Sequence, residues 1–454
     1  MMRKKGRIGV ILFTAFVAAC FLFVLAGCSK KEAGVNLKGA QIVVADFSNA
    51  YDVDTYTPRN EDEEIQLAWR KKIQADNGFK MKTVELSGYD DYFQIVTTNI
   101  IAGNKDYSLY TLSPEWAMTL YKQGLLYPIS DSSVKLNNRV PEAGKKAAYN
   151  ELIEKLFTFN GKSYGFYPGT GGDAWHGTFL FWNKRLLKEA GYDPDLLYDL
   201  QKAGTWTWDK FYEIARATTR DTNNDGITDI YAMPCDDPRE VLNGFVYGNN
   251  ANYVLINAQG KFESGMNKPE FLEAVQFYQR LLEEGLMKPR PENSAWDWDF
   301  TEFFDGHTAM IIAPEWRKGQ MPEMKDDYGF VFPPKGPRAT NYRMGNDDMV
   351  YVIPAYFKPE EVDTILKAAD LWFVPSSDDW KGGHYWAFRD RRAVDESMAM
   401  VKDARYNAFK NFMLVPGFPH NDFCFDIFNF KGTAAQLVEQ YAPRVNAALD
   451  PMNR

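Results

Sequence analysis

Apolar and polar positions in this chain follow two alternating periods, one suited to strands and one to helices. Gln41 to Phe47 and Lys80 to Leu86 read as strands. Between them Asp62 to Asp76 opens on acidic residues and carries Ile65, Trp69 and Ile73 at helical spacing. Tyr89 to Ala102 predicts a second helix stopped by Gly103, Ser108 to Leu112 a third strand, and Pro114 to Gln123 a helix that begins with Pro and ends at Gly124. After the Asn160-Gly161 turn come a strand over Ser163 to Tyr167, a glycine-rich loop at 169–172, a strand over Thr178 to Trp182 and a helix over Lys184 to Ala190. Trp208 to Thr218, Pro269 to Glu284, Glu360 to Phe373 and Ala434 to Ala448 complete the predicted helices. Repeated strand-helix units predict an α/β fold with mostly parallel sheets, whose ligands sit beyond the carboxyl ends of the strands. The loops at Asp46 to Asn49 and Ser113 to Trp116 occupy such ends.

The amino terminus has a different pattern. Arg3, Lys4, Lys5 and Arg7 precede an uncharged apolar run from Ile8 to Leu25, which ends in Leu25-Ala26-Gly27-Cys28. This arrangement resembles a bacterial lipoprotein signal peptide and implies cleavage before Cys28, which would then carry the lipid. The run approaches the roughly 20 residues that cross a membrane, but the small residues before Cys28 fit a processing site better than a continuing span. Ser29 to Lys38 is polar and Lys-rich and reads as a tether, so residues 1–27 are expected as signal and 28–38 as linker.

A chain of 454 residues exceeds one compact core and predicts two domains. Loss of the first 27 residues removes four positive charges and takes the formal net charge from −9 to −13, which argues against nucleic acid and against an electrostatic membrane surface. Only Cys235 and Cys424 remain in the folded body, expected as buried thiols, and His176, His307, His384 and His420 show no metal-ligand spacing. Aromatic residues make up 15% of the chain, more than a core needs, and aromatic faces suit the CH faces of sugar rings.

Four segments in order then carry a family resemblance. They are Gly124-Leu125-Leu126-Tyr127-Pro128-Ile129; Phe159-Asn160-Gly161-Lys162-Ser163-Tyr164-Gly165 with Phe181-Trp182-Asn183-Lys184-Arg185-Leu186-Leu187; Gly204-Thr205-Trp206-Thr207-Trp208-Asp209-Lys210-Phe211; and Phe304-Asp305-Gly306-His307-Thr308-Ala309-Met310. Together they resemble family 1 extracellular solute-binding proteins of ABC importers, the group that includes maltose-binding protein. The resemblance implies a type II periplasmic-binding-protein-like fold of two α/β lobes, with a hinge crossed three times. It places the first lobe at 39–162 and 308–346 and the second at 163–307 and 347–454. It also implies a monomeric receptor that performs no reaction, captures a carbohydrate such as an oligosaccharide, and delivers it to the transmembrane subunits of a permease.

Several residues bear on chemistry directly. Asp221, Asn223, Asp225 and Asp229, with Gly226 at the turn and the Ile227 carbonyl, follow the spacing of an EF-hand loop, an expected structural Ca2+ site. Its twelfth position is Ala232, so the bidentate carboxylate is missing. Gly161-Lys162-Ser163-Tyr164-Gly165 matches a serine-hydrolase motif only formally, because a turn rather than a strand precedes it. Trp116, Trp175, Trp296, Trp298, Trp316 and Trp372 are candidate stacking platforms, and Asp46, Asn49, Glu115, Asp173, Asp297, Arg317 and Asp347 candidate partners for hydroxyl groups. Two other classes fit the same sequence: an exported carbohydrate-active enzyme using Asp297 and Asp299 or Glu115, and a sensor subunit that binds a sugar or peptide. Asp297 and Asp299, two apart, would point to opposite faces of an extended segment.

Overall fold

The computed structural model describes residues 36–136, 151–168, 177–235, 238–373, 381–401 and 403–453. Cys28, Asp173, Trp175 and the glycine-rich loop lie outside them.

The first lobe is built on a four-stranded sheet. Strand β1 (Ala40–Asp46) is followed by α1 (Glu61–Asn77), β2 (Phe79–Glu85), α2 (Tyr89–Ile101), β3 (Leu109–Leu112) and α3 (Pro114–Lys122). β1 pairs in parallel with β2 on one side, Ala40 opposite Phe79, and with β3 on the other, Val44 opposite Leu109. Alternation along β1 sends Ile42 and Val44 to one core and Ala45 to the other, so both faces of the sheet are covered. Helix α1 owes its limits to local chemistry: the Asn60 side chain accepts from the Glu63 amide at the start, and Gly78 ends it in the left-handed conformation.

The second lobe centres on β6 (Thr178–Asn183), reached after a short hairpin of β4 (Thr158–Phe159) and β5 (Lys162–Ser163). All six residues of β6 are buried. Helices α4 (Trp208–Thr218), α5 (Pro238–Gly248), α6 (Pro269–Glu283) and α7 (Trp298–Phe304) follow, and then β7 (Met310–Pro314) and β8 (Tyr328–Val331). These two strands flank β6 antiparallel, with Met310 opposite Trp182 and Phe330 opposite Phe181.

That pairing corrects the expected division of the chain. Residues 308–346, assigned by resemblance to the first lobe, supply both partners of β6, because the apolar run from Ala309 to Ala313 is buried and completes the second core. The return comes later. After β9 (Met344–Asn346), β10 (Val350–Val352) joins the first sheet antiparallel to β3, and α8 (Pro359–Trp372) packs on its core. Residues 347–349 are thus the link between lobes rather than the start of a second-lobe segment. The second sheet is antiparallel where a parallel one was expected.

Beyond α8 the chain re-enters the second lobe with β11 (Asn407–Phe409), parallel to β9, then α9 (His420–Phe428) and α10 (Ala434–Leu449). Phe409 and Leu414 nevertheless pack in the first-lobe core, so this stretch touches both lobes. The Trp206 and Trp208 pair belongs to the core: Trp206 donates to the Phe332 carbonyl at 3.0 Å and Trp208 stacks on Phe277 at 4.6 Å.

Gly329 on β8 lies against the indole of Trp182, where a Cβ would fall 2.0 Å from the ring. Gly329→Ala is expected to destabilise the protein by about 1–3 kcal/mol through overpacking, measured by urea unfolding, with recovery in a Gly329→Ala and Trp182→Leu pair. A neutral Gly329→Ala would show that this packing is not tight.

Candidate functional site

A cavity of about 800 Å³ opens between the lobes. The first lobe contributes Tyr89, which begins α2, and Glu115, in the first turn of α3. Both follow strands of the first sheet at their carboxyl ends, where the open side of an α/β sheet places ligands. The second lobe contributes Arg239, Glu240 and Asn243 from α5, Trp296 and Asp299 near the start of α7, and Trp316 and Arg317 after β7. Residues 417–422, leading into α9, close a further side.

Asp347 and Lys410 sit where the lobes are linked. Lys410 is 3% exposed, its Nζ 2.7 Å from Asp347 Oδ1 and 3.2 Å from Glu240 Oε1. Burial works against the ammonium charge, but the two carboxylates outweigh it and hold Lys410 above its ordinary value. Glu240 also accepts from Thr178 Oγ1 at 2.7 Å, which extends the network to the first residue of β6.

Glu115 has a thinner set of contacts. Its Oε1 accepts from the Gly417 amide at 3.4 Å, a contact across the cleft, and burial raises the carboxyl above the usual range. The Tyr89 hydroxyl is also raised, by desolvation inside the cleft and then by the charges of Asp347 and Glu115, while part of the side chain stays exposed.

The aromatic part of the wall is braced from behind. Arg317, 5% exposed, places its guanidinium 4.5 Å from the Trp316 ring, 4.9 Å from Trp296 and 5.1 Å from Phe300. It donates to Gln320 at 3.1 Å and lies 3.8 Å from Asp299. Phe412 is covered by the His420 ring at 3.9 Å, whereas Trp296 is 69% exposed and Tyr89 56%.

Of the residues proposed from sequence, Glu115, Trp296, Trp316, Arg317 and Asp347 line this cavity, and Asp46, Asn49, Trp116, Asp297, Trp298 and Trp372 do not. Asp46 is buried, with Oδ1 accepting from the amides of Ser48 and Asn49 at 2.9 and 3.0 Å, so the carboxylate caps its own turn. The Asn49 side chain folds back onto Asp46 at 3.3 Å. Trp116 is held among Phe93, Tyr89, Tyr92 and Phe47, stacked on Phe93 at 5.5 Å, and so supports Tyr89 rather than facing the cavity. Trp298 is buried at the start of α7 because helix formation turns it inward, leaving Trp296 outside. Trp372 packs on Tyr51 in the first-lobe core. Tyr89, Glu240, Lys410 and His420 were missed. Tyr89 alone carried a local signal, since it follows the carboxyl end of β2.

Neither the hydrolase-like motif nor the pair Asp297 and Asp299 is assembled as a catalytic group. Ser163 lies on the short strand β5 and its hydroxyl donates to the Gly165 carbonyl at 3.3 Å. Asp299 faces the cavity but Asp297 does not line it. His420 Nε2 lies 3.6 Å from Cys424 Sγ and 3.2 Å from Asn243 Oδ1. A relay needs the thiol and the orienting group on opposite ring nitrogens, and here both approach the same one.

The loop Asp221 to Asp229 is closed by the bridge between Arg220 and Ile230. Asp221 accepts from the amides of Asn223, Asn224 and Gly226, and Asp229 from the amide of Thr222 at 2.7 Å. Among the described residues no group of three or more His, Cys, Asp or Glu side chains converges as a metal site, and Ala232 is buried. Nor is any helix among them long and apolar enough to cross a membrane.

Residues 68–362 match the family model of the bacterial extracellular solute-binding proteins. Binding proteins of Brucella abortus (strain 2308) and Brucella suis biovar 1 (strain 1330) are each 24% identical over 312 residues, 65% of this chain. The chain spans 66% of the length of these relatives, just under two thirds. Among solved structures, UgpB from Mycobacterium tuberculosis in complex with glycerophosphocholine aligns with a TM-score of 0.64 at 16% identity, covering 91% of this chain and 99% of the other. The GacH receptor of Streptomyces glaucescens, described unliganded and with acarbose, aligns at 0.60 and 13% identity over the same shares. An ABC substrate-binding protein of Listeria monocytogenes in complex with cycloalternan aligns at 0.59 and 16% identity, again with 91% and 99% covered. At these identities the structural likeness establishes the two-lobe fold, and the match over most of the chain establishes the family: this protein belongs to the bacterial extracellular solute-binding proteins.

Proposed function

We propose that this protein captures a carbohydrate between its lobes and delivers it to the permease of an ABC importer. The observation that carries the reading is the interlobe cavity, in which charged side chains alternate with braced aromatic rings. Sugars need both kinds of surface, because hydroxyl groups take directed hydrogen bonds and CH faces take flat apolar contact. The cavity volume falls within the range of about 300–1,000 Å³ usual for small-molecule sites. Structural relatives described with acarbose and with cycloalternan support the same class. Capture without chemistry is the role, and closure follows from the ligand's better contacts with the closed state.

Isothermal titration with glucose, maltotetraose, cellotetraose, xylotetraose and mannotetraose checks this. At least one is expected to bind without being consumed. Product formation, or no binding across the panel, would overturn the reading.

Lipid attachment at Cys28 completes the proposal, because a tethered receptor meets its permease at high effective concentration. The support is the basic start, apolar run and small residues before Cys28. Cells fed an alkyne-tagged fatty acid should label the wild type and not Cys28→Ser, which should also leave the membrane fraction. Equal labelling of the two would remove the anchor.

Calcium in the loop Asp221 to Asp229 is proposed as a structural ion, on the strength of the donor order. Loss of a bound ion lowers stability by mass action, so chelation should lower the melting temperature of the wild type. Asp221→Ala with Asp225→Ala should melt lower only when calcium is present. A wild type indifferent to chelation would rule the ion out.

A further inference from the structure

The second lobe also grips the first at a place outside the cavity. After α10 the chain makes a tight turn over Asp450–Met452 and reaches helix α3, where Lys122 Nζ donates to the Pro451 carbonyl at 2.9 Å. Desolvation lowers the Lys122 ammonium from its ordinary value, as an arm laid over it would do. Met452 packs against the first-lobe core as well as the second.

That turn does not act alone. Asn453 pairs its amide group with the backbone of Phe262, accepting from the N–H at 2.8 Å and donating to the carbonyl at 2.9 Å. Phe262 opens the second strand of a hairpin made by Val254–Ile256 and Phe262–Ser264 and, like Met452, packs against both cores. The hairpin is rooted in the second lobe, because Val254 is buried in that core and its carbonyl accepts from Asn411 Nδ2 at 2.9 Å. Helix α10 is rooted there too, through Leu437, Tyr441, Val445 and Leu449. Two pieces of one lobe, far apart in sequence, are thus tied by the Asn453 side chain into a single arm that lies on the other lobe.

The place of the arm on α3 gives it leverage. This helix begins at the cavity, where Glu115 meets the Gly417 amide. Lys122 lies about two turns farther on, roughly 10 Å along the axis. The second lobe therefore runs beside α3 from its first turn to its last. Any movement that draws Gly417 away from Glu115 as part of a rigid lobe also pulls the Pro451 carbonyl off Lys122 and takes Phe262 and Met452 out of apolar contact. Lobes of one chain ordinarily move against each other, and contacts made in one arrangement but lost in another weight the population toward the first.

We propose that residues 450–453 and the hairpin 254–264 form a clasp on α3 that limits how far the lobes separate before a solute arrives. The clasp acts apart from the ligand site, so it holds for any class of solute.

Small-angle X-ray scattering of the ligand-free protein tests it. Asn453→Ala, Lys122→Met and a chain shortened to end at Leu449 should each give a larger radius of gyration than the wild type, with a broader distribution of internal distances. Lys122→Arg still donates to the carbonyl and should return the wild-type value. Asn453→Asp should open like Asn453→Ala, because a carboxylate cannot donate to the Phe262 carbonyl. Lys122 and Asn453 are exposed, so their substitutions should leave the fold intact, which circular dichroism checks. These point variants decide the matter should the shortened chain fail to fold. The clasp is overturned if either Asn453→Ala or Lys122→Met scatters as the wild type does or becomes more compact, or if Lys122→Arg opens as far as Lys122→Met.

Discussion

A buried ammonium group organises the centre of this molecule. Lys410 lies between Asp347, in the link from the second lobe back to the first, and Glu240, near the start of α5. Removal of the Lys410 ammonium would leave two carboxylates uncompensated in a poorly solvated place, a loss of about 3–5 kcal/mol for buried groups of this kind. The network therefore fixes the end of β9 against α5 and β6, and the orientation of β10 follows from it. Two lobes hinged at a floppy link would present a cleft of indefinite shape. Here one end of the link is held by charge, and the other by the backbone pairing of Phe166 with Tyr351 at 2.7 and 3.1 Å.

The same residues show why only part of this was legible in the sequence. Regular elements were readable because their signals are local: the limits of α4 at Trp208 and Thr218 and the run of β1 follow from spacing, caps and period. Lobe assignment was not, because Met310–Pro314 looks like any buried strand and only pairing with β6 says which sheet it joins. The site divides in the same way. Glu115 was visible through its place after β3, whereas Lys410 and Glu240 are ordinary surface residue types made functional by contacts 170 positions apart. Asp46 and Trp116 show the converse: the right residue type at the right strand end, turned to capping and to support by neighbours the pattern does not specify.

Charge in the cleft has a consequence for closure. Lys410 with its two carboxylates, Arg444 with Asp422 at 2.5 Å, and Arg317 beside Asp299 are matched within the second lobe or the link, so they lend little attraction across the gap. Contacts from the first lobe include the long one from Glu115 to the Gly417 amide, the Lys122 donation to the Pro451 carbonyl at 2.9 Å and the packing of Phe409 and Leu414. A ligand between the lobes shifts their population only by its preference for the closed form.

That requirement explains the uneven exposure of the wall. Groups bonded within one lobe are already satisfied and gain little when the cleft shuts. Tyr89 and Trp296 are not covered in this way, and burying an aromatic face adds stabilisation in proportion to the area removed from water. Such gain is available only when something fills the space between them, because two rings on separate lobes cannot lose their water to an empty gap. Placing the uncovered apolar area on both sides of the cavity, with the charged groups paired behind it, makes closure depend on an occupant that touches both lobes.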